Sequence, residues 1–377
     1  MPSVLKIYNT PLITFEMNNK GLDGFTVTVL DHAQSKRHLF PLNLEPENTS
    51  LANWLRKRVI PKNRAFVHQI LKQLNLNIND TKGIIEACKG LSLNDSYWIV
   101  PDDFSGSFGE YNLYENRFSN VLSLVAYTGY GTSHQAFTTS PELTTDGMLP
   151  KSWRLINGEI SLWKGGSSGA ANTGMEPYSE FYAAQVAKVL GLNHVNYDLR
   201  KWKGKLCSVC PLFTDIDTAY VPIGRIVTKG GLTSVLKYYR SLSEEAYQEV
   251  ASMLIMDAVI YNDDRHFANF GVLRENQTGK IIASASIFDN GLSLFSYAME
   301  SELDDLESYA KDRFSATGVS HDEITKTVLG AGQRAQLRKL IGFEFTPHPS
   351  YNWPVKRKKA IEQFLQKRIK CLLNYHC

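Results

Sequence analysis

The sequence predicts an α+β chain of two lobes with an additional N-terminal module, on three observations. Residues 136–220 read as strands, one glycine-rich loop, one helix and further strands, the order of a small nucleotide-covering lobe. From about Pro222 the chain turns mostly helical, giving a second lobe over 221–377. At roughly 100–200 residues per domain, a chain of 377 leaves residues 1–135 as a module of their own.

In the N-terminal module, Phe25 to Asp31 alternates apolar and polar as a half-buried strand does. Leu51–Val59 and Asn63–Leu74 have helical spacing, punctuated by Pro61, and Thr81–Leu91 forms a shorter helix after an Asn/Asp-rich linker. Residues 92–132 mix aromatics and glycines without a clear period, and no role is legible in this module.

In the next segment, Ser152–Leu155 and Ile160–Lys164 read as strands around the turn Asn157-Gly158. Gly165–Gly174 is a loop with four glycines. A helix from about Pro177 to Leu190 ends at Gly191, and Thr173 and Glu176 have capping-box spacing. Val195–Arg200 and Leu206–Phe213 read as strands. In the second lobe, Ser243–Tyr261 is a long helix with Leu254, Ile255, Ala258 and Val259 as its buried stripe. Ile281–Phe288 reads as a buried strand and Val355–Leu373 as a terminal helix.

Composition excludes several classes. A net charge of +3 gives no chain-wide attraction to nucleic acid or acidic lipid, so direct nucleic-acid binding is not expected. Five scattered cysteines make no disulfide framework, and Cys207 and Cys210 read as buried strand residues rather than a zinc or redox pair. No stretch approaches the ~20 apolar residues of a membrane span, and no basic-then-apolar leader opens the chain. The expected location is cytoplasmic.

The densest chemical signal is Asn262-Asp263-Asp264-Arg265-His266-Phe267-Ala268-Asn269-Phe270-Gly271, followed by Ile287-Phe288-Asp289-Asn290-Gly291. Phosphoryl transfer to a hydroxyl needs a carboxylate to take the proton, oxygen ligands for magnesium, and a cation on the phosphates. A catalytic Asp five positions before a metal-binding Asn, and then an Asp two positions before a Gly, is the protein-kinase arrangement. Asp264 with Asn269, and Asp289 with Gly291, reproduce it. Few hard oxygens suit Mg2+, so Asn269 and Asp289 are the expected metal ligands, and the glycine allows a sharp turn after the second. Asp263 competes with Asp264 for the base role, and the spacing to Asn269 favours Asp264. Arg265 and His266 are expected to hold the loop, His266 as a hydrogen-bonded core residue beside the cofactor. The bland alternative is a capped helix end at Asp263 or Asp264 and a surface turn at Asn290-Gly291.

Lys164 closes a strand in Leu162-Trp163-Lys164, from which it could reach phosphates if a carboxylate holds it; Glu180 is the candidate partner and Glu176 the alternative. The phosphate-covering loop is expected at Thr144-Thr145-Asp146-Gly147-Met148-Leu149-Pro150-Lys151, with Gly165–Gly174 as a second candidate. Neither is a Walker A loop.

These residues resemble the HipA-like kinases, toxin-type serine/threonine kinases of bacteria, in their compact branch. The resemblance rests on N-D-D-R-H-F-A-N-F-G at Asn262–Gly271, F-D-N-G at Phe288–Gly291, L-W-K at Leu162–Lys164, D-G-M-L-P-K at Asp146–Lys151 and E-P-Y-S-E at Glu176–Glu180. It implies a two-lobed, protein-kinase-like fold that binds ATP and Mg2+. It makes Asp264 the catalytic base, Asn269 and Asp289 the magnesium ligands, and Lys164 the phosphate contact. Thr145, Asp146, Gly147 and Lys151 would then surround the phosphates, with Leu212, Phe213 and Thr214 beside adenine. It further implies autophosphorylation at Thr144, where the family usually has serine, a protein substrate, and a DNA-binding, HipB-like antitoxin as partner. A lipid or small-molecule kinase, or a catalytically dead nucleotide-binding module, remain alternative readings. The terminal helix sets Ile361, Phe364, Leu365, Ile369 and Leu372 on one face among basic residues, as in a helix docked on the core with a solvated side.

Overall fold

Alternation along the chain builds the first sheet. In Gly24–His32, Phe25 and Val27 are buried while Thr26 and Thr28 are exposed, the pattern of a strand with one covered face. A computed structural model describes residues 1–20, 24–131, 140–170 and 172–375. Its contacts divide into two units. The first holds Met1–Lys164, Leu212–Val221 and Leu273–Ile282; the second holds Gly165–Pro211, Pro222–Val272 and Ala283–Cys377. The boundary expected near residue 135 lies outside the described residues.

Strands β1 (Ser3–Ile7), β2 (Thr10–Lys20), β3 (Gly24–His32) and β4 (Tyr97–Pro101) form an antiparallel sheet in the order β3-β2-β1-β4. Helix α1 (Asn48–Arg56) covers it with Leu51, Trp54 and Leu55, which join Leu5, Ile7, Phe15 and Val27 in one apolar cluster. Helices α2 (Val67–Lys72), α3 (Thr81–Cys88) and α5 (Asn120–Thr128) make a second cluster with Ile70, Ile84, Val125 and Leu143; α4 (Phe108–Tyr111) is a single turn between them. Strands β5 (Lys151–Ile156) and β6 (Glu159–Gly165) form a hairpin around Asn157-Gly158. Both turn residues have positive φ, 53° and 84°, as a two-residue hairpin of this twist requires.

In the second unit α6 (Glu176–Leu190) ends at Gly191, which takes the left-handed cap at φ 77°. Strands β7 (Asp198–Trp202) and β8 (Lys205–Pro211) form a hairpin that buries Cys207 and Cys210. The chain passes through the first unit in most of β9 (Thr218–Pro222) and returns with the short α7 (Ile223–Ile226), α8 (Gly231–Leu242) and α9 (Glu244–Ile260). Every residue of α9 from Val250 to Ile260 is buried, so the helix is a central post rather than a one-striped element. Strands β10 (Gly271–Glu275) and β11 (Ile281–Ser284) lead to α10 (Leu306–Ala310), α11 (His321–Val328), α12 (Ala331–Arg338) and α13 (Val355–Leu373). Tyr182 of α6 stacks on Trp353, ring centroids 4.3 Å apart, and its hydroxyl donates to Asn352 Oδ1 at 2.9 Å. Among the described residues no helix is long and apolar enough to cross a membrane.

Several expectations need correction. The helix expected over Asn63–Leu74 is confined to Val67–Lys72, because Phe66 adopts a left-handed conformation (φ 61°) and the Ala65 amide donates to Met148 O instead. The capping box at Thr173 and Glu176 does not form: Thr173 Oγ1 donates to Ala170 O, and Met175 occupies the cap position. The strand expected at Val195 begins at Asp198, since Val195 donates its amide to Ile287 O. The buried strand expected over Ile281–Phe288 stops at Ser284, with Ile282 exposed; the chain then pairs Ile287 with His194. Helix α13 buries Ile361, Phe364, Leu365, Ile369 and Leu372 as its spacing predicts, but Arg357 and Arg368 leave the solvated face. Arg357 donates to Phe295 O at 2.9 Å and Arg368 to Ala258 O at 3.1 Å.

Leu365→Ala should cost about 2–5 kcal/mol of unfolding free energy, because it opens a cavity under α13. Lys367→Ala, on the exposed side of the same helix, should stay within about 0.5 kcal/mol in the same urea titration.

Candidate active site

The two motif loops of the second unit hang from the end of α9. Ser243 caps its start, its Oγ accepting from the Ala246 amide at 3.0 Å. Tyr261 ends it in a left-handed conformation, with its amide on Asp257 O. Asn262 then takes a fully buried place. Its amide donates to Asp257 O at 3.0 Å, its Nδ2 to Asp257 Oδ1 at 3.1 Å, and its Oδ1 accepts from the Asp264 amide at 3.1 Å.

Arg265 is the junction of the site. Its guanidinium is buried and donates to both oxygens of Asp257 (3.0 and 3.2 Å), to Asn269 O at 2.9 Å, to Phe288 O at 2.6 Å and to Asn290 Oδ1 at 2.6 Å. One nitrogen, Nη1, holds both Asn269 O and Phe288 O, so the backbones of the two loops meet at a single atom. Burial alone would lower the Arg265 pKa; the charge and hydrogen bond of Asp257 outweigh it, helped by Asp289 and Glu180, and raise it. The residue therefore stays cationic, as expected of a loop-holding arginine.

Asn269 Nδ2 donates to Asp264 O at 2.9 Å, which fixes the orientation of the side-chain amide. Asp289 has φ 56°, a left-handed conformation unusual for a residue with a side chain. The expectation that Gly291 makes the sharp turn is corrected, because the left-handed residue is Asp289 itself. Two flanking groups hold it there: its amide donates to Tyr197 Oη at 3.2 Å, and the next amide, Asn290, to Glu180 Oε2 at 2.7 Å. Burial, then the charges of Glu180 and Asp289, push the Tyr197 phenol well above its ordinary pKa, so it stays neutral.

Of the two competing aspartates, Asp263 faces His321 Nε2 at 3.5 Å and Arg313 Nη1 at 3.8 Å, whereas Asp264 leads through its own carbonyl to Asn269. His266 is not the core residue expected: it lies about half exposed, its Nδ1 accepts from the Ala268 amide, and its Nε2 is 4.0 Å from Asp264 Oδ1. Glu176 Oε1 accepts from the Ser167 amide and from Tyr297 Oη, both at 3.1 Å, and so ties down the glycine-rich loop. A Cβ at Gly166 would come within 2.8 Å of Gly174 Cα, so the loop closes on itself only without a side chain there. A cavity of about 300 Å³ lies behind the loops, lined by Phe270, Gly271 and Ile287, and none of Asp264, Asn269 or Asp289 lines it.

In the first unit, Lys151 and Lys164 are directly opposite one another across the β5–β6 hairpin, and both are buried. Lys151 Nζ donates to Asp146 O at 2.9 Å, and Thr145 Oγ1 to Pro141 O at 2.7 Å. Gly147 has φ 92°, and a Cβ there would collide with Lys151 Nζ. Thr144 turns inward, its Oγ1 donating to Leu91 O at 2.7 Å. The Leu212 amide donates to Ile160 O at 3.0 Å, Phe213 packs edge-on against Tyr220, and Thr214 Oγ1 donates to Leu93 O at 2.5 Å.

Sequence reasoning missed Asp257 and Tyr197, and it quoted Asn262 within the motif without giving it a role. Asp257 lies two turns before Arg265 on an all-apolar helix face, and that buried carboxylate was a readable signal; Tyr197 offered none.

No protein-family model matches the chain, and no curated protein sequence matches it. Among solved structures, the HipA toxin of Shewanella oneidensis, in complex with HipB and operator DNA, superposes with a TM-score of 0.54 at 11% identity over the whole of both chains. The Helicobacter pylori proinflammatory kinase CtkA gives a TM-score of 0.47 at 17% identity, covering 59% of this chain and 92% of its own. The chain has a HipA-like fold.

Asp257→Ala would leave the Arg265 charge buried without its carboxylate, and should destabilise the protein by about 3–5 kcal/mol in equilibrium unfolding. An exposed control, Arg200→Ala, should cost less than about 1 kcal/mol.

Proposed function

We propose that the chain is an ATP- and magnesium-dependent protein serine/threonine kinase of HipA-like type. The observation that carries this reading is the Arg265 guanidinium, which joins the Asp264–Asn269 loop to the Phe288–Asp289 turn. That joint ties together the backbones of the two loops whose side chains include one amide oxygen and two carboxylates of the kinds phosphoryl transfer uses. Asn269 Oδ1 and the Asp289 carboxylate are a hard-oxygen pair that fits Mg2+, which keeps water and phosphate for its other positions. Bound there, the ion would neutralise charge on the β- and γ-phosphates.

Asp264 orients the acceptor hydroxyl and takes its proton as the oxygen bonds to the γ-phosphorus and the bond to ADP breaks. Lys164 and Lys151 supply cations to the phosphates, while the 144–147 turn offers them Thr145, Asp146 and Gly147. His266 borders the nucleotide, and residues 212–214 run beside adenine. Residues 136–220 serve as the nucleotide-covering lobe and 221–377 as the catalytic lobe. Autophosphorylation at Thr144 requires its hydroxyl to leave Leu91 O. Because the Shewanella protein is bound to HipB, a HipB-like protein is the proposed partner.

Mg-ATP should raise the melting temperature of the wild type, and EDTA or Asp289→Ala should remove that shift. Asp264→Asn should keep the shift yet lower turnover on protein by about 10²–10⁴-fold. With labelled ATP, label should appear on protein; label on lipid or a metabolite alone would favour the other substrate class, and no shift in the wild type would count against the reading altogether.

A further inference from the structure

The segment proposed to cover the phosphates does not stand on its own hairpin. Arg64, 87 residues before one of its partners, is buried beside it. Its Nη1 donates to Glu142 O at 2.6 Å and Thr145 O at 3.2 Å; its Nη2 donates to Glu142 Oε2 at 2.5 Å and Lys151 O at 3.0 Å. Glu142 is equally buried, and its other oxygen accepts from Ser152 Oγ at 3.0 Å and the Trp153 amide at 2.9 Å. The neighbouring amide, Ala65, donates to Met148 O at 2.8 Å. Residues 64 and 65 thus grip the segment at its entry, at its middle and at Lys151, where β5 begins. Just upstream, Leu143 is fastened into the α2–α3–α5 cluster.

The geometry points to Arg64 and Glu142 as positioning residues for the phosphate-covering segment 144–151, so that the N-terminal module sets affinity for the phosphates of the nucleotide. This inference rests on the kinase reading above. A planar guanidinium is suited to the task because it presents several donors in a fixed fork, while an ammonium is a point charge on a flexible stem. The same stretch limits α2, which begins only at Val67: the Ala65 amide is spent on Met148 O and Phe66 is left-handed.

The test uses the full chain with Arg64→Lys, which keeps the charge and loses the fork, and Glu142→Gln, which keeps the shape and loses the charge. Two measurements are made on each variant that retains the wild-type circular dichroism. The first is hydrogen exchange without nucleotide at the Ala65, Thr144 and Trp153 amides, expected to quicken while exchange in α9 stays unchanged. The second compares affinities for Mg-ATP and for adenosine, which has no phosphates. ATP should weaken by about tenfold or more, a change of about 1.4 kcal/mol, while adenosine binding holds within about twofold.

Unchanged exchange at these amides in both variants would overturn the positioning role. Loss of ATP and adenosine binding together would overturn it too, as general damage. A wild type that binds no Mg-ATP would instead sink the kinase reading, and the exchange measurement would still decide whether the pair holds the segment.

Discussion

A positive charge buried at the foot of α9 sets the terms for the second unit. An arginine taken out of water is tolerated only where a carboxylate and well-aimed acceptors surround it. Arg265 finds the carboxylate on Asp257, one turn above the end of α9, and the acceptors on the two loops that carry Asn269 and Asp289. Satisfying that cation therefore draws the loops together, and the left-handed backbone of Asp289 is held by the same assembly through Tyr197 and Glu180. The group that makes the fold costly to disturb is thus also the one that fixes the backbones of the two motif loops.

The first unit uses the same device in different places. Arg58 donates to Asp95, Gly90 O and Tyr97 O; Arg274 donates to the Tyr97 hydroxyl and Gly279 O; Arg64 grips the segment before β5. In each case a forked side chain donates to at least one backbone carbonyl, of Gly90, Gly279 or Thr145, outside the helices and strands. Apolar clusters give the unit its bulk, and buried arginines give its loops one conformation each.

Much of this was legible from the order of residues. Helix α13 appears with the expected bounds because a 19-residue run with apolar positions at helical spacing leaves little choice. The Asn157-Gly158 turn follows from two residues that tolerate positive φ. Spacing singled out Asp264, Asn269 and Asp289 as candidates, and the structure ties the backbones of their loops to one guanidinium. What sequence could not show was tertiary. The α2 boundary is set by Phe66 and by the Ala65 contact with Met148, Glu176 serves the glycine-rich loop rather than its own helix end, and His266 faces solvent although its neighbour Arg265 is buried. The first two outcomes depend on contacts across 83 and 9 residues, which no local pattern encodes.

The central claim is that Arg265 holds Asn269 and Asp289 as a divalent-ion site under a triphosphate. A crystal structure with magnesium and a non-hydrolysable ATP analogue tests it most directly. The account predicts an octahedral ion at about 2.0–2.1 Å from Asn269 Oδ1 and an Asp289 carboxylate oxygen, with phosphate oxygens completing its shell. Magnesium and triphosphate bound away from both residues, with the Arg265 contacts intact, would contradict it.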